Sequence, residues 1–427
     1  TYSEDVATAS ELATAYLVGL QSLPQGFDPA TGQTIYTLAT PKHFLGDGGT
    51  EWGTSQVDNY QLDQGDKTID EAEVRRLFLP PYQQAVSQGA LSIMPSYSSL
   101  NGIKMHASSY WLTEVLKGEL GFPGFVISDL NAVQQLSDDY YEAVVTAVNA
   151  GVDMIMISSD FKGLLNQLRR AVENGDIPPA RVDDAVGRIL QVKFALGLFD
   201  RPYGDPGLQE TIGSEEHRQL AREAVRQSLV LLKNQGGAIP VSRDIERLYV
   251  AGPKADSTGS QSGGWTVTWQ GTNVSLQPGT TILEGIRALA GTDTSVEYEP
   301  SGEFEGVADV GIVVVGENPY AEGVGDREDL GLSSTDVQLI ERMREHSQRL
   351  VVILLSGRPM IITDQLPLAD AWVTAWLPGT EGGGVADLLF GDYPFTGRLP
   401  YTWPKSMAQV PSSEGDEALY PLGYGLP

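Results

Sequence analysis

The chain has 427 residues, with 28 Lys and Arg against 56 Asp and Glu, 4 His and no Cys, for a net charge of −28. That surplus of carboxylates argues against a nucleic-acid or anionic-membrane surface and suits neutral ligands. The lack of Cys removes disulfides, Cys-ligated zinc, iron–sulfur clusters and thiol nucleophiles together.

At about 150 residues per domain the length predicts two or three domains, each large enough for its own core. Hydrophobic residues at 41% and charged ones at 20% describe a globular chain. No apolar run approaches the roughly 20 residues of a membrane span. The chain opens on Thr1 with no Met and no visible signal peptide, so a segment removed upstream is expected.

Along the first half one unit recurs: a short apolar run ending in polar residues, then a helical pattern. The runs are Thr37–Thr40 before Lys42 and His43, Ala90–Met94 before Tyr97, Phe125–Ser128 before Asp129, and Val152–Ile157 before Ser158. Helical periodicity fills Asp70–Gln84, Trp111–Leu120 and Tyr141–Asn149. Runs without polar alternation, separated by helices, predict buried parallel strands in βα units. A long amphipathic helix over Asp183–Leu198 precedes the turn-rich stretch Asp200–Gly207, the expected domain boundary.

The second half predicts a helix over His217–Gln227. Strands follow at Ser228–Lys233, Leu248–Ala251, Val310–Val315, Leu350–Leu355 and Ala371–Trp376. The pattern fits an open, mostly parallel α/β sheet covered on both faces. Four βα units in about 200 residues make only half of a (β/α)8 barrel, which typically needs about 250 residues and eight strands. Either the first domain is a smaller open sheet or the N-terminal part of a barrel is missing.

Ligands of parallel α/β folds bind at the carboxyl ends of the strands. The residues expected there are Lys42, His43, Asp47, Tyr97, Asp129 and Asp160, a polar set without metal-ligand spacing. Asp129 directly follows a buried run, so its carboxylate meets a site; the plain reading is a helix cap. In the second half, Gly316–Asp326 follows the most apolar strand and carries Glu317 and Glu322, either a presented acid or a solvated loop. Gly263–Gly271 sets Trp265 and Trp269 among glycines, as a platform for sugar rings or as two hydrophobic anchors. Nucleophile-elbow, zinc-protease, P-loop and dinucleotide fingerprints are all missing, and His106, His217 and His346 read as structural.

Taken in order, these blocks resemble glycoside hydrolase family 3, in its two-domain exo-β-glucanase/β-glucosidase branch. The resemblance is carried by Lys42-His43-Phe44-Leu45-Gly46-Asp47-Gly48, Gly124-Phe125-Val126-Ile127-Ser128-Asp129 and the Gly316–Asp326 loop. Further matches are Gly263–Gly271, Arg188–Phe199, Ala375–Phe390 and Leu422–Gly425. It implies the C-terminal portion of a (β/α)8 barrel over 1–205, a linker and helix over 206–227, and an (α/β) sandwich domain over 228–427.

The resemblance makes Asp129 the nucleophile and Glu322 the acid/base. Glu317 becomes a supporting residue and fallback acid. Lys42, His43 and Tyr97 would serve the sugar in the −1 subsite, with Asp47 supporting their loop and Trp269 forming one wall of the aglycone subsite. The chemistry implied is retaining hydrolysis of β-glucans or β-gluco-oligosaccharides without cofactor or metal. The two carboxyl groups are then expected about 5–5.5 Å apart, with pKa values pushed apart.

This sequence departs from the branch at Leu130 and Leu100, where Trp is usual, which leaves half of an aromatic clamp missing. It also begins at a block that lies mid-barrel in the family, so the expectation is a fragment whose barrel is completed by a separate N-terminal chain, a nicked product or a segment outside this sequence. A β-xylosidase, a β-N-acetylglucosaminidase of the same family and a non-catalytic carbohydrate-binding relative are the alternatives. The acidic, Cys-free composition fits a secreted or periplasmic bacterial protein.

Overall fold

The computed structural model describes residues 2–411 and 417–427. Two compact units divide the chain, Thr1–Asp205 and Pro206–Pro427.

In the first unit the four apolar runs lie side by side in chain order. Phe44 N–H donates to Met94 O at 2.8 Å, Ile127 N–H to Ile93 O at 3.0 Å, and Ser128 N–H to Met154 O at 2.8 Å. Only two of the runs form regular parallel strands (Ser92–Ile93 with Phe125–Val126). Elsewhere side chains take the ladder's place: Gln21 Oε1 accepts from Ala39 N–H, and the Ser128 hydroxyl accepts from Met156 N–H. Thr37–Thr40 is therefore not a strand, and Val152–Ile157 joins through the single bridge Ile127–Met154.

Gly124 sits where a Cβ would lie 2.1 Å from Leu91 O, so no other residue lets the Asp129 strand approach its neighbour. Asp153, whose side chain has no exposed surface, accepts from Val126 N–H at 2.7 Å and pairs with Lys117 at 2.8 Å and Arg181 at 2.5 Å. This pins the strand leading to Asp129 from its far side. Removing one member of so buried a set typically costs about 3–5 kcal/mol, because the remaining charges lose their partners.

Helices cover these runs, with boundaries set by local chemistry. The periodic stretch expected as one helix over Asp70–Gln84 is two, Glu71–Leu77 and Pro80–Ser87. Pro80 and Pro81 lack the N–H groups that would continue the first helix. Tyr110–Glu119 winds in the wide register that closes with Leu120 N–H on Val115 O. Further on, Tyr140–Ala150, Phe161–Asn174 and Pro179–Ala195 complete the outer layer.

The second unit is built on six strands: β1 (Val230–Asn234), β2 (Arg247–Ala251), β3 (Ser295–Tyr298), β4 (Ala308–Gly316), β5 (Ser347–Leu355) and β6 (Ala371–Trp376). Their spatial order is β1-β6-β5-β4-β2-β3, parallel except for β1 against β6. The strands alternate between two buried faces. Val310, Ile312, Val314, Val351, Ile353 and Val373 face one core with helices Glu215–Ser228, Ile282–Leu289 and Gly383–Leu389. Val313, Val315, Val352, Leu354 and Trp372 face the other, with Leu339, Ile340 and Met343 of helix Ser334–Glu345. Burial on both faces explains the unbroken apolar runs.

Helix Glu215–Ser228 belongs to this unit through Arg222 and Arg226, which pair with the buried Asp387 at 2.5 and 2.6 Å. The strand order reverses between β2 and β4. β2 passes outward to β3, and β4 passes inward to β5, so the loops leaving β2 and β4 diverge at their carboxyl ends. That divergence is where open α/β sheets hold ligands.

Candidate functional site

Side-chain chemistry in the first unit converges at the carboxyl ends of the runs. The His43 imidazole stands between two carboxylates, with Nδ1 3.4 Å from Asp47 Oδ2 and Nε2 3.6 Å from Asp129 Oδ2. The peptide bonds Lys42–His43 and Phe44–Leu45 are both cis. Asp129 Oδ1 accepts from Leu130 N–H at 2.7 Å, so each carboxylate oxygen of this half-buried side chain has a defined neighbour. Burial works to raise the Asp47 carboxyl. Hydrogen bonds and charge from His43, with further hydrogen bonds from Ser96 and Ser98, outweigh it and hold Asp47 below its ordinary value.

Lys42 is exposed, with no ion pair among the described residues, so its ammonium is available to a ligand. Tyr97 is half-buried, its ring 6.3 Å from that of His106 and 6.0 Å from the Lys104 ammonium. Asp160 does not join this group. It sits at φ +52° as the cap of helix Phe161–Asn174, accepting from Gly163 N–H at 3.1 Å. Leu130 is exposed and aliphatic, whereas Leu100 lies in the core.

Nothing in the sequence marks the part played by His106. This residue is 1% exposed, and its Nε2 accepts from the backbone N–H of Asp129 at 2.9 Å. Burial, reinforced by the charges of Lys104 and His43, pushes it down to about 3 against a backbone hydrogen bond at Ser96. It is thus a neutral acceptor across the working pH range. The bond reaches the backbone of Asp129 rather than its carboxylate, which is why spacing between titratable residues does not reveal it.

His106→Leu leaves a buried N–H without an acceptor, at about 1–3 kcal/mol. We expect a lower unfolding temperature, with His106→Gln recovering part of the loss; thermal unfolding checks this. Because His106 is protonated more readily in the unfolded chain, the wild type loses stability as pH falls from about 6.5 toward 3. The Leu variant lacks that contribution to the slope.

In the second unit the diverging loops after β2 and β4 carry the remaining candidates. Glu322 opens the short turn Glu322–Gly325 at φ +54° and is exposed. Glu317 is different: its side chain is 5% exposed, and Oε1 pairs with Arg358 at 2.6 Å and Arg327 at 3.2 Å. The Tyr320 hydroxyl adds a bond at 3.3 Å, and its own pKa is pushed up to about 12 by burial and the Glu317 charge. Glu317 braces the loop, while Glu322 stands at its surface. Trp265 and Trp269 are 69% and 47% exposed, with ring centroids 6.4 Å apart and planes inclined at 56°.

Among the described residues no group of three or more His, Asp or Glu side chains is placed to hold a metal ion. The chemistry on offer is, in the first unit, that of two carboxylates, an imidazole and an ammonium, and, in the second, that of an exposed carboxylate and two aromatic faces.

Residues 1–192 match the glycosyl hydrolase family 3 N terminal domain, and residues 229–427 match the glycosyl hydrolase family 3 C-terminal domain. The crystal structure of a variant of an exo-1,3/1,4-β-glucanase from a Pseudoalteromonas species is similar at 37% identity and TM-score 0.91, over 100% of this chain and 70% of that one. A lysosomal β-glucosidase of Dictyostelium discoideum is 33% identical over 96% of this chain and 52% of its own length. A periplasmic β-glucosidase of Salmonella typhimurium is 30% identical over 94% of this chain and 59% of its own. The chain thus spans just over half the length of these curated relatives.

Proposed function

The chain belongs to glycosyl hydrolase family 3, and from that premise we propose that it acts as a retaining, exo-acting β-glucosidase on β-glucans and β-gluco-oligosaccharides. The observation that carries this reading is the Asp129 carboxylate at a strand end, its Oδ1 held by Leu130 N–H and its Oδ2 facing His43. A carboxylate held this way has one orientation to offer an electrophile. Two β-glucosidases and an exo-1,3/1,4-β-glucanase among the similar proteins support glucose as the sugar, and β-xylosidases also among them keep xylose as the competing substrate.

In the first step an Asp129 oxygen bonds to the anomeric carbon while the glycosidic C–O bond breaks. Glu322 gives its proton to the departing oxygen. In the second step Glu322, now a carboxylate, takes a proton from water. The water oxygen bonds to the anomeric carbon, and the ester to Asp129 breaks. Two displacements return the β-configuration. Lys42 and His43 donate hydrogen bonds to sugar hydroxyls, Tyr97 sits beside the nucleophile, and Asp47 orients His43. Trp269 offers an aromatic face to the leaving sugar, and Glu317 keeps the acid loop in shape.

We further propose a secreted or periplasmic setting, supported by the acidic, Cys-free composition and by the periplasmic relative. No helix among the described residues is long and apolar enough to cross a membrane.

Parallel hydrolysis of nitrophenyl β-glucoside, β-xyloside and N-acetyl-β-glucosaminide tests the reading, with the first-formed anomer followed by NMR. Fastest release from the glucoside with β-glucose appearing first is expected. α-Glucose appearing first would contradict retention, and preference for either other sugar would contradict the substrate. Binding without turnover, unchanged in Asp129→Asn, would point to a non-catalytic relative.

A further inference from the structure

The exposed turn that carries Glu322 needs something to hold it. Ala321, immediately before it, is extended (φ −133°, ψ 143°) and 4% exposed, so its N–H and C=O require partners. Both are supplied by one side chain. Gln270 Oε1 accepts from Ala321 N–H at 2.9 Å, and Gln270 Nε2 donates to Ala321 O at 3.2 Å. A carboxamide pairing with both polar groups of one residue imitates a neighbouring strand and fixes the peptide plane on either side.

Gln270 directly follows Trp269, so the same residue ties the aromatic loop to the acid loop. The backbones meet closely as well. A Cβ at Gly264 would lie 2.1 Å from Tyr320 O, and one at Gly271 would lie 2.7 Å from the Pro319 side chain. At its base the acid loop is held separately, by Glu317 with Arg327 and Arg358. The base and the apex of the loop therefore have different anchors, and Gln270 is at the apex.

We propose that Gln270 is a positioning residue for the acid/base: its carboxamide clasps both backbone groups of Ala321 and fixes the turn from which Glu322 works, making the Trp269 platform and the acid one rigid body. The proposal rests on the acid/base reading of Glu322. It has a signature that a general loss of stability does not share. Protonation of the leaving oxygen in the first step matters for a poor leaving group and hardly at all for a good one, so a misplaced acid lowers kcat/KM only for the former.

The test compares kcat/KM of wild type, Gln270→Leu, Gln270→Glu and Glu322→Ala on 2,4-dinitrophenyl β-glucoside and on methyl β-glucoside. Gln270→Leu is expected to stay within about threefold of wild type on the first and to lose on the order of 10- to 100-fold on the second. Gln270→Glu keeps the acceptor for Ala321 N–H and is expected to lose less, and it carries the comparison if the Leu variant does not fold. Amide hydrogen exchange at Ala321 should quicken in Gln270→Leu.

Equal losses on both substrates, or no loss on either, would overturn the clasp while Glu322→Ala still shows its leaving-group dependence. If Glu322→Ala itself loses equally on both, the acid/base reading falls and the clasp with it.

Discussion

Asp129→Asn is expected to abolish turnover on every substrate, good or poor leaving group alike, by roughly 10⁴-fold or more. The substitution is nearly isosteric. An amide oxygen can still accept from Leu130 N–H at the position of Oδ1, and His106 still holds the backbone N–H. The folded structure should therefore survive, with the unfolding free energy changed by no more than about 1 kcal/mol. What is lost is a carboxylate able to bond to the anomeric carbon, and no leaving group, however good, substitutes for it. Measuring kcat on 2,4-dinitrophenyl β-glucoside isolates this effect, because that substrate makes little demand on the acid. A variant that retained a tenth of its activity there would place the nucleophile elsewhere.

Glu322→Ala should behave differently, and the contrast assigns the two roles. With an alkyl or sugar leaving group the first step lacks its proton donor, and turnover should drop by about 10²- to 10⁴-fold. With dinitrophenolate the first step runs nearly unassisted. The second step then limits, because water has no base to take its proton, so the covalent intermediate accumulates and KM falls along with kcat. Azide needs no deprotonation to attack. Added azide should restore turnover of the dinitrophenyl substrate and yield β-glucosyl azide, with no comparable effect on wild type. Analysis of the product by NMR checks this. Loss without azide rescue would remove Glu322 from the acid/base role.

How much of this was legible in the sequence depends on whether a residue acts through its place in a periodic pattern or through a contact made across the fold. The position of Asp129 at a strand end was visible because the four residues before it read as a buried run. The five long strands of the second unit were visible for the same reason. β3 was not, because Ser295–Tyr298 is a short edge strand whose burial alternates, and a four-residue alternation carries little signal. Thr37–Thr40 read as a strand, but the Gln21 side chain accepts from the Ala39 N–H that a ladder would otherwise take.

His106 and Gln270 were illegible for a common reason. Each bonds a main-chain group of its target, and backbone N–H and C=O groups are present at every position, so no spacing of side-chain types marks them. The difference between Glu317 and Glu322 was likewise hidden. Both lie in one Gly-rich loop, and pairing with Arg327 and Arg358, 10 and 41 residues later in the chain, separates the buried brace from the exposed acid.

The proposed reaction requires Asp129 to become covalently bound to the sugar. Incubation with 2,4-dinitrophenyl 2-deoxy-2-fluoro-β-glucoside, followed by intact mass and peptide mapping, tests it most directly. The fluorine slows both steps by disfavouring positive charge at the anomeric carbon, and the good leaving group restores the first. One fluoroglucosyl group per chain is expected, on the peptide containing Asp129, with activity lost in step. A label on a different carboxylate, or continued turnover of the natural substrate with no label at all, would contradict it.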